Sequence, residues 1–388
     1  MGTEKLMVDV DAAVVGRLRL ALVRCPVGRT DLVTRDGICS CRHTVISVDH
    51  SANFEYLLRV TANQIGEAMD RGEDPFMGEF LEGAPSNWGK WGPDDEVGSL
   101  NYLTPPEVMR GIRHVKQGKV ITLQRLINNP EGDPVSQGRT GARVSMLTDE
   151  SSWDRDDAPR LPGDVHYADD YMETFLHGCG HYDALGHVWY GGKIWNGYDA
   201  RTTIGGMGKA GVLPIAEKGV VGRGILLDMA RYRGKPALEK GETFTHEDLE
   251  ACAASQGTKI ESRDILLVRT GFLDAFYEVG REEFYEDFNE PGLTYSLELV
   301  RWFQEMEIPN LVTDTISNET TLDPDSGVVL ALHCALMRNL GVVLTEIIDL
   351  NRLAEDCTAD NQWTFLYVAA PLKVVQATGS PVNPVVIK

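Results

Sequence analysis

The chain has 388 residues, and 58 acidic against 37 basic side chains give a formal charge of −21, which argues against a nucleic-acid partner, since phosphate contacts demand basic surface. With 43% hydrophobic and 24% charged residues the composition is that of an ordinary globular protein of one large domain or two average ones. No stretch reaches the ~20 uninterrupted apolar residues of a membrane span and the N-terminus lacks a secretory pattern, so no membrane role and a soluble, cytoplasmic protein are the expectation.

Taken in chain order, residues 1–74 hold short mixed segments with little periodicity and read as an N-terminal extension of unknown role. From Pro75 onward Gly and Pro bound short β-branched runs. Trp88 and Trp91 stand as a pair that reads as interface or lid material. Thr104-Pro105-Pro106-Glu107 predicts a helix start, with the threonine hydroxyl accepting the N3 amide and an apolar stripe of Val108, Ile112 and Val115 running to about Gly118. A second start, Thr245-His246-Glu247-Asp248, leads a helix that stops before Gly257, with His246 a polar residue of its first turn. Apolar runs at 120–123, 225–227, 265–268, 310–313, 342–344, 363–368 and 385–387 predict strands. Strands interleaved with a few helices predict a mixed α/β domain. Seven cysteines, an odd number scattered along the chain, do not form a disulfide framework.

The densest chemistry lies in His177-Gly178-Cys179-Gly180-His181-Tyr182-Asp183-Ala184-Leu185-Gly186-His187, where three of the nine histidines fall within eleven residues. Imidazole and carboxylate suit zinc and related divalent ions. The glycines oppose a helix by about 1 kcal/mol each. On a straight strand 177 and 183 lie roughly 20 Å apart, too far to share an ion. The segment must therefore fold back, which glycine permits by accepting positive φ. Cys179 reads as a small buried filler, with a cysteine nucleophile as the competing reading. Tyr182, Trp189 and Trp195 are candidates for the walls of a pocket for a planar substrate. Asp314 and Glu319, after the 310–313 strand, are candidate substrate contacts. His333 sits in a helix turn, and Glu346 follows the 342–344 strand.

The cluster resembles the H-x-G-T-H-x-D-x-x-x-H signature of the cyclase family of metal-dependent hydrolases, which includes kynurenine formamidase, isatin hydrolase and a trans-dienelactone hydrolase. Further segments are similar to that family in the same order: 87–101, 222–228, 264–271, 369–372 and 379–384. The resemblance covers 75–388 and implies a single catalytic domain of swivelling β/β/α type. It implies His177, His181 and Asp183 as ligands of a first metal, His187 as the acid/base, and His333 with Glu346 at a second ion. Zinc or manganese, a small-molecule substrate and a homodimer or homotetramer are implied with them. The expected activity is hydrolysis of a cyclic amide, lactone or formamide by a metal-activated water. Cys179 and Gly180 stand where Gly and Thr are usual, which keeps open a second reading, a catalytically impaired member of the same fold that only binds metal or small molecules.

Overall fold

The computed structural model describes residues 77–388, apart from 156–158 and 160, together with four strands nearer the N-terminus. Two compact units emerge, Met1–Ala68 and Met69–Lys388. In the first, β1 (Lys5–Val10), β2 (Leu18–Arg24), β3 (Thr30–Thr34) and β4 (Gly37–Cys39) form an antiparallel meander in sequence order.

The strands of the second unit are β5 (Val120–Thr122), β6 (Arg143–Thr148), β7 (Asp169–Glu173), β8 (His181–Asp183), β9 (Val220–Asp228), β10 (Thr243–Phe244), β11 (Ile265–Arg269), β12 (Gly292–Leu293), β13 (Asn310–Thr313), β14 (Val343–Glu346), β15 (Thr364–Ala369), β16 (Gly379–Pro381) and β17 (Val385–Ile387). Nine of them make one mixed sheet in the order β16-β8-β14-β13-β11-β9-β15-β17-β5. Its centre, β9-β11-β13-β14, is parallel, and every strand outside that centre pairs antiparallel. Parallel strands are covered on both faces, which is why the strands Ile265–Arg269 and Val343–Glu346 hold the apolar runs 265–268 and 342–344 and are almost wholly buried. Helices His246–Ser255 and Leu297–Glu305 lie between successive central strands and bury Leu249, Cys252, Leu299 and Phe303. The first is started by Asp248, whose carboxylate accepts the Thr245 N–H at 3.0 Å.

Two sequence expectations are corrected here. The helix at Pro105–Ile112 ends a turn early, and the Thr104 hydroxyl donates to the Glu107 carboxylate in place of capping the N3 amide. β9 begins five residues before the expected run, because Gly222 and Gly224 hide a strand in the sequence. A Cβ on Gly224 would come within 2.5 Å of the Phe365 ring, so the neighbouring strand demands the bare backbone that weakens the apolar signal.

Candidate metal centre

β8 is three residues long and is held on both sides, by β14 through Tyr182↔Thr345 and His181↔Glu346, and by β16 through Gly379↔Asp183. Alternation along β8 puts His181 and Asp183 on one face and Tyr182 on the other. Just before it the chain folds back through a turn in which the Gly178 N–H donates to Phe175 O. That fold brings His177 Nε2 within 3.3 Å of Asp183 Oδ1. The glycines act by close approach and not through positive φ, the expected reason. Gly178, Gly180 and Gly186 lie outside the left-handed region, and a Cβ would meet Phe175 O at 2.9 Å, Ile348 at 3.0 Å and Met207 at 2.4 Å respectively.

The cluster closes around Asp183. His181 Nε2 lies 3.2 Å from Asp183 Oδ1 and 3.3 Å from Glu346 Oε2. His333 Nε2 lies 3.2 Å from Glu346 Oε1 and 3.6 Å from Asp183 Oδ2. His187 stacks on His177 with ring centroids 4.2 Å apart. Potential donor atoms fall into two overlapping sets that share Asp183: His177, Asp183 and His187, and His181, Asp183 and Glu346, with the atoms of each set within 4.8 Å of one another. His177 and His181 approach the same Asp183 oxygen, and His181 also faces Glu346.

Each side chain is anchored from behind. His181 Nδ1 donates to Cys179 O at 2.8 Å, which leaves Nε2 facing Asp183 and Glu346. His333 Nδ1 donates to Glu319 Oε1 at 2.6 Å, and the same carboxylate accepts the Leu332 and His333 N–H groups. These bonds hold the start of a π-helix, His333–Leu340, a rare form that recurs at functional sites.

Burial works against protonation of His181, yet the Asp183 and Glu346 carboxylates beside it raise it to about 9. The same opposition, with Glu319 added, raises His333 well above its ordinary value. Burial alone would raise Asp183, but His187, His177, His181 and His333 around it hold it well below the usual carboxylate range. For His187 burial wins and pushes it down to about 4, so its imidazole is neutral at pH 7.

Several expected site residues lie elsewhere. Tyr182 is fully buried on the core face, its hydroxyl 3.2 Å from Asn310 Oδ1 and 3.0 Å from the Tyr367 hydroxyl. Asp314 is enclosed, accepting the Thr270 and Gly271 N–H groups and the Thr270 hydroxyl at 2.7–2.8 Å. Glu319 is committed to His333. None of the three is placed to meet a substrate. Trp195 is a core residue bonded to Asp95, while Trp189 stays 41% exposed. Trp88 and Trp91 form no lid: Trp88 donates to Arg338 O and stacks on that guanidinium, and Trp91 packs on Tyr102 and Trp195. Burial pushes the Cys179 thiol up to about 12, which removes the thiolate a nucleophile needs.

Two residues were missed. A Cβ on Gly379 would sit 2.4 Å from His177 Nε2, so only glycine lets that imidazole lie against β16. Gln124 stands beside Gly180, its amide atoms 3.1 Å from where a Cβ would be, and fills space that a threonine side chain would claim. Neither carries a local signal, since Gly379 and Gln124 lie far along the chain from their partners.

The donors fit a divalent cation. Nε2 of His177 and His181, both Asp183 oxygens and Glu346 Oε1 are buried with no hydrogen-bond partner. Leaving such atoms unpaired costs about 1–3 kcal/mol each. Separations of 3.2–3.6 Å match ligands sharing an ion at bond lengths near ~2.1 Å.

Comparison with known proteins follows the same line. The cyclase family matches residues 112–320. A solved structure described as a novel cyclase is 34% identical over 78% of this chain and 98% of its own, with a TM-score of 0.71. An isatin hydrolase bound to the product analogue thioisatinate is 16% identical over 73% of this chain and 98% of its own, with a TM-score of 0.50, a likeness of fold alone. Isatin hydrolase A from Labrenzia aggregata, bound to benzyl benzoate, is 18% identical over 74% and 98%, with a TM-score of 0.48. No curated protein matched the sequence. With more than half of its length matched and a histidine–carboxylate cluster at the junction of β8, β14 and β16, the chain belongs to the cyclase family.

Proposed function

We propose that the protein is a metal-dependent hydrolase that opens a cyclic amide, lactone or formamide. The observation that carries this reading is the five unpartnered buried donor atoms gathered at Asp183, which two overlapping donor sets share. His177, His181, Asp183, His333 and Glu346 would hold zinc or manganese, and an all-N/O donor set serves either. A divalent ion held there supplies Lewis-acid polarisation of a carbonyl and lowers the pKa of water from ~15.7 toward ~7.

The protein's own groups do the rest. His187, neutral at pH 7 and stacked on His177, accepts a proton from the attacking water and returns it to the leaving nitrogen or oxygen. Asp183 and Glu346 place negative charge behind three imidazoles, which keeps their Nε2 atoms turned inward. Glu319 fixes the His333 tautomer from the far side of the ring, an arrangement common behind metal ligands.

The test joins elemental analysis of the purified chain to hydrolysis assays with isatin, an aryl formamide and a γ-lactone, before and after treatment with a chelator. Bound zinc or manganese and chelator-sensitive turnover are expected. In His187→Ala, metal content stays unchanged while kcat falls about 10²–10⁴-fold. A metal-free preparation that turns over any of the three probes overturns the mechanism.

A further inference from the structure

β8 pairs through two residues with β14 and three with β16, a short contact on which to fix a register. The β6–β7 ribbon, which no third strand among the described residues joins, has five pairs and still shifts register between Met146 and Thr148. A slip of β8 by one residue along β14 turns His181 and Asp183 toward the core. A slip of two keeps their face but moves each side chain by roughly 7 Å. The ligand face opposes neither slip with hydrogen bonds, since Nε2 of His177 and His181 and both Asp183 oxygens make none.

The core face does oppose them. The Tyr182 hydroxyl donates at 3.2 Å to Oδ1 of Asn310 on β13, two strands away in the sheet. That amide is oriented by β14, where its Nδ2 donates to Val343 O at 2.8 Å and to Thr345 Oγ1 at 2.9 Å. Thr345 is also the residue that pairs with Tyr182. With the Tyr182 proton committed to Asn310, the Tyr367 hydroxyl donates to Tyr182 from 3.0 Å. Tyr367 lies on β15, five strand spacings from β8, a distance of roughly 24 Å in a flat sheet, so the sheet curls over this face. Tyr182, Asn310, Thr345 and Tyr367 are all fully buried. Burial raises both phenols above their ordinary range, so each keeps its proton and the network carries no charge. A buried polar network whose members are all bonded rigidifies the elements it joins.

We propose, on the metal-centre reading given above, that Tyr182 is a positioning residue: its hydroxyl bond to Asn310 fixes the register of β8 on β14, so that His181 and Asp183 stand in ligand positions before any cation arrives. Alternation along the strand connects the two faces, since the side chain between the two ligands is the one held from the core. A slip of either size breaks the Asn310 bond and leaves buried groups without partners, which is costly. Tyr367 shares the network but sits on a strand that carries no ligand.

The test compares the parent chain with Tyr182→Phe, Tyr367→Phe and the double variant, all stripped of metal. Thermal unfolding reports stability, and amide hydrogen exchange of the peptide spanning 181–183 reports the hold on β8. Zinc affinity is measured by competition with a chromogenic chelator, and the visible absorption of added cobalt(II) reports ligand geometry. Both single variants lower Tm. Only Tyr182→Phe speeds exchange in β8, by about tenfold or more, weakens zinc binding by about 10–100-fold, and alters the cobalt bands. The double variant, which no longer leaves the Tyr367 hydroxyl unpaired, regains part of the Tm and keeps the weak zinc binding. Parent-like exchange and zinc affinity in Tyr182→Phe, equal losses in Tyr367→Phe, or a double variant whose zinc affinity recovers with its Tm overturns the proposal. A parent chain that takes up neither ion overturns the metal reading itself, and the hold of Tyr182 on β8 is then decided by the exchange rates.

Discussion

β8 and β6 are both short strands in antiparallel pairs, yet their environments are opposite. β8 has a neighbour on each side, and all three of its residues are buried. β6 has one neighbour and is wet on both faces. The difference shows where this chain places its chemistry: the polar atoms that lack hydrogen-bond partners at the site stay aligned because β14 and β16 clamp the strand that carries them. The ribbon has no such clamp, so its residues are free of the packing constraints that fix the site. Substitutions should therefore divide sharply between the two regions.

The largest effect is expected at Asp183, which contacts three imidazoles. Asp183→Asn should abolish metal content by elemental analysis and reduce hydrolysis at least 10³-fold, since the charge that both donor sets share is lost. Retained stoichiometric metal would break the comparison at its strongest point. Gly379→Ala is expected to follow, since the added Cβ would lie 2.4 Å from His177 Nε2 and 2.8 Å from Tyr182 O. Overpacking of this kind costs about 1–3 kcal/mol, visible as a lower Tm, and displaces the imidazole, visible as weaker metal binding.

Glu319→Ala frees the His333 ring and leaves two N–H groups without an acceptor. A drop in metal affinity of about 10–100-fold is expected, measured by competition with a chromogenic chelator. Glu290 gives a smaller effect that depends on pH. Fully buried, it accepts the Ile316 N–H and the Ser317 hydroxyl, and burial pushes it up to about 8 from its ordinary 4.5. A carboxyl with a raised folded-state pKa stabilises the fold below 4.5, and that contribution is lost as pH rises through 8. Glu290→Gln, which cannot ionise, should therefore unfold a few degrees higher than the parent at pH 9 and differ little at pH 5. Met172→Ser on the ribbon should change the chain's unfolding free energy by less than ~0.5 kcal/mol, because an exposed side chain has little packing to lose.

Much of this was legible in the sequence. Asn310–Thr313 and Val385–Ile387 are strands with the expected bounds, since their branched residues suit a pleated sheet that buries all of the first and the centre of the second. The histidine cluster and its need to fold back were also readable, because bond lengths to one ion exclude a straight segment. Alternation along a strand sets residue 182 on the face opposite 181 and 183, so the burial of Tyr182 follows from a pattern the sequence carries. Asp314 and Glu319 were different: a carboxylate after a strand looks the same in sequence whether it faces a ligand or the protein's own N–H and O–H groups. The clamp of β16 on β8 joins residues nearly 200 positions apart, and no local pattern reports such a pairing.

That separation bears on how the protein is made. Residues 177–187 leave the ribosome long before 346 and 379, so a nascent chain can display three imidazoles and an aspartate with nothing to hold them in place. The full constellation arises only after residues 379–381 have been made, so a metal held there would report that this sheet has closed.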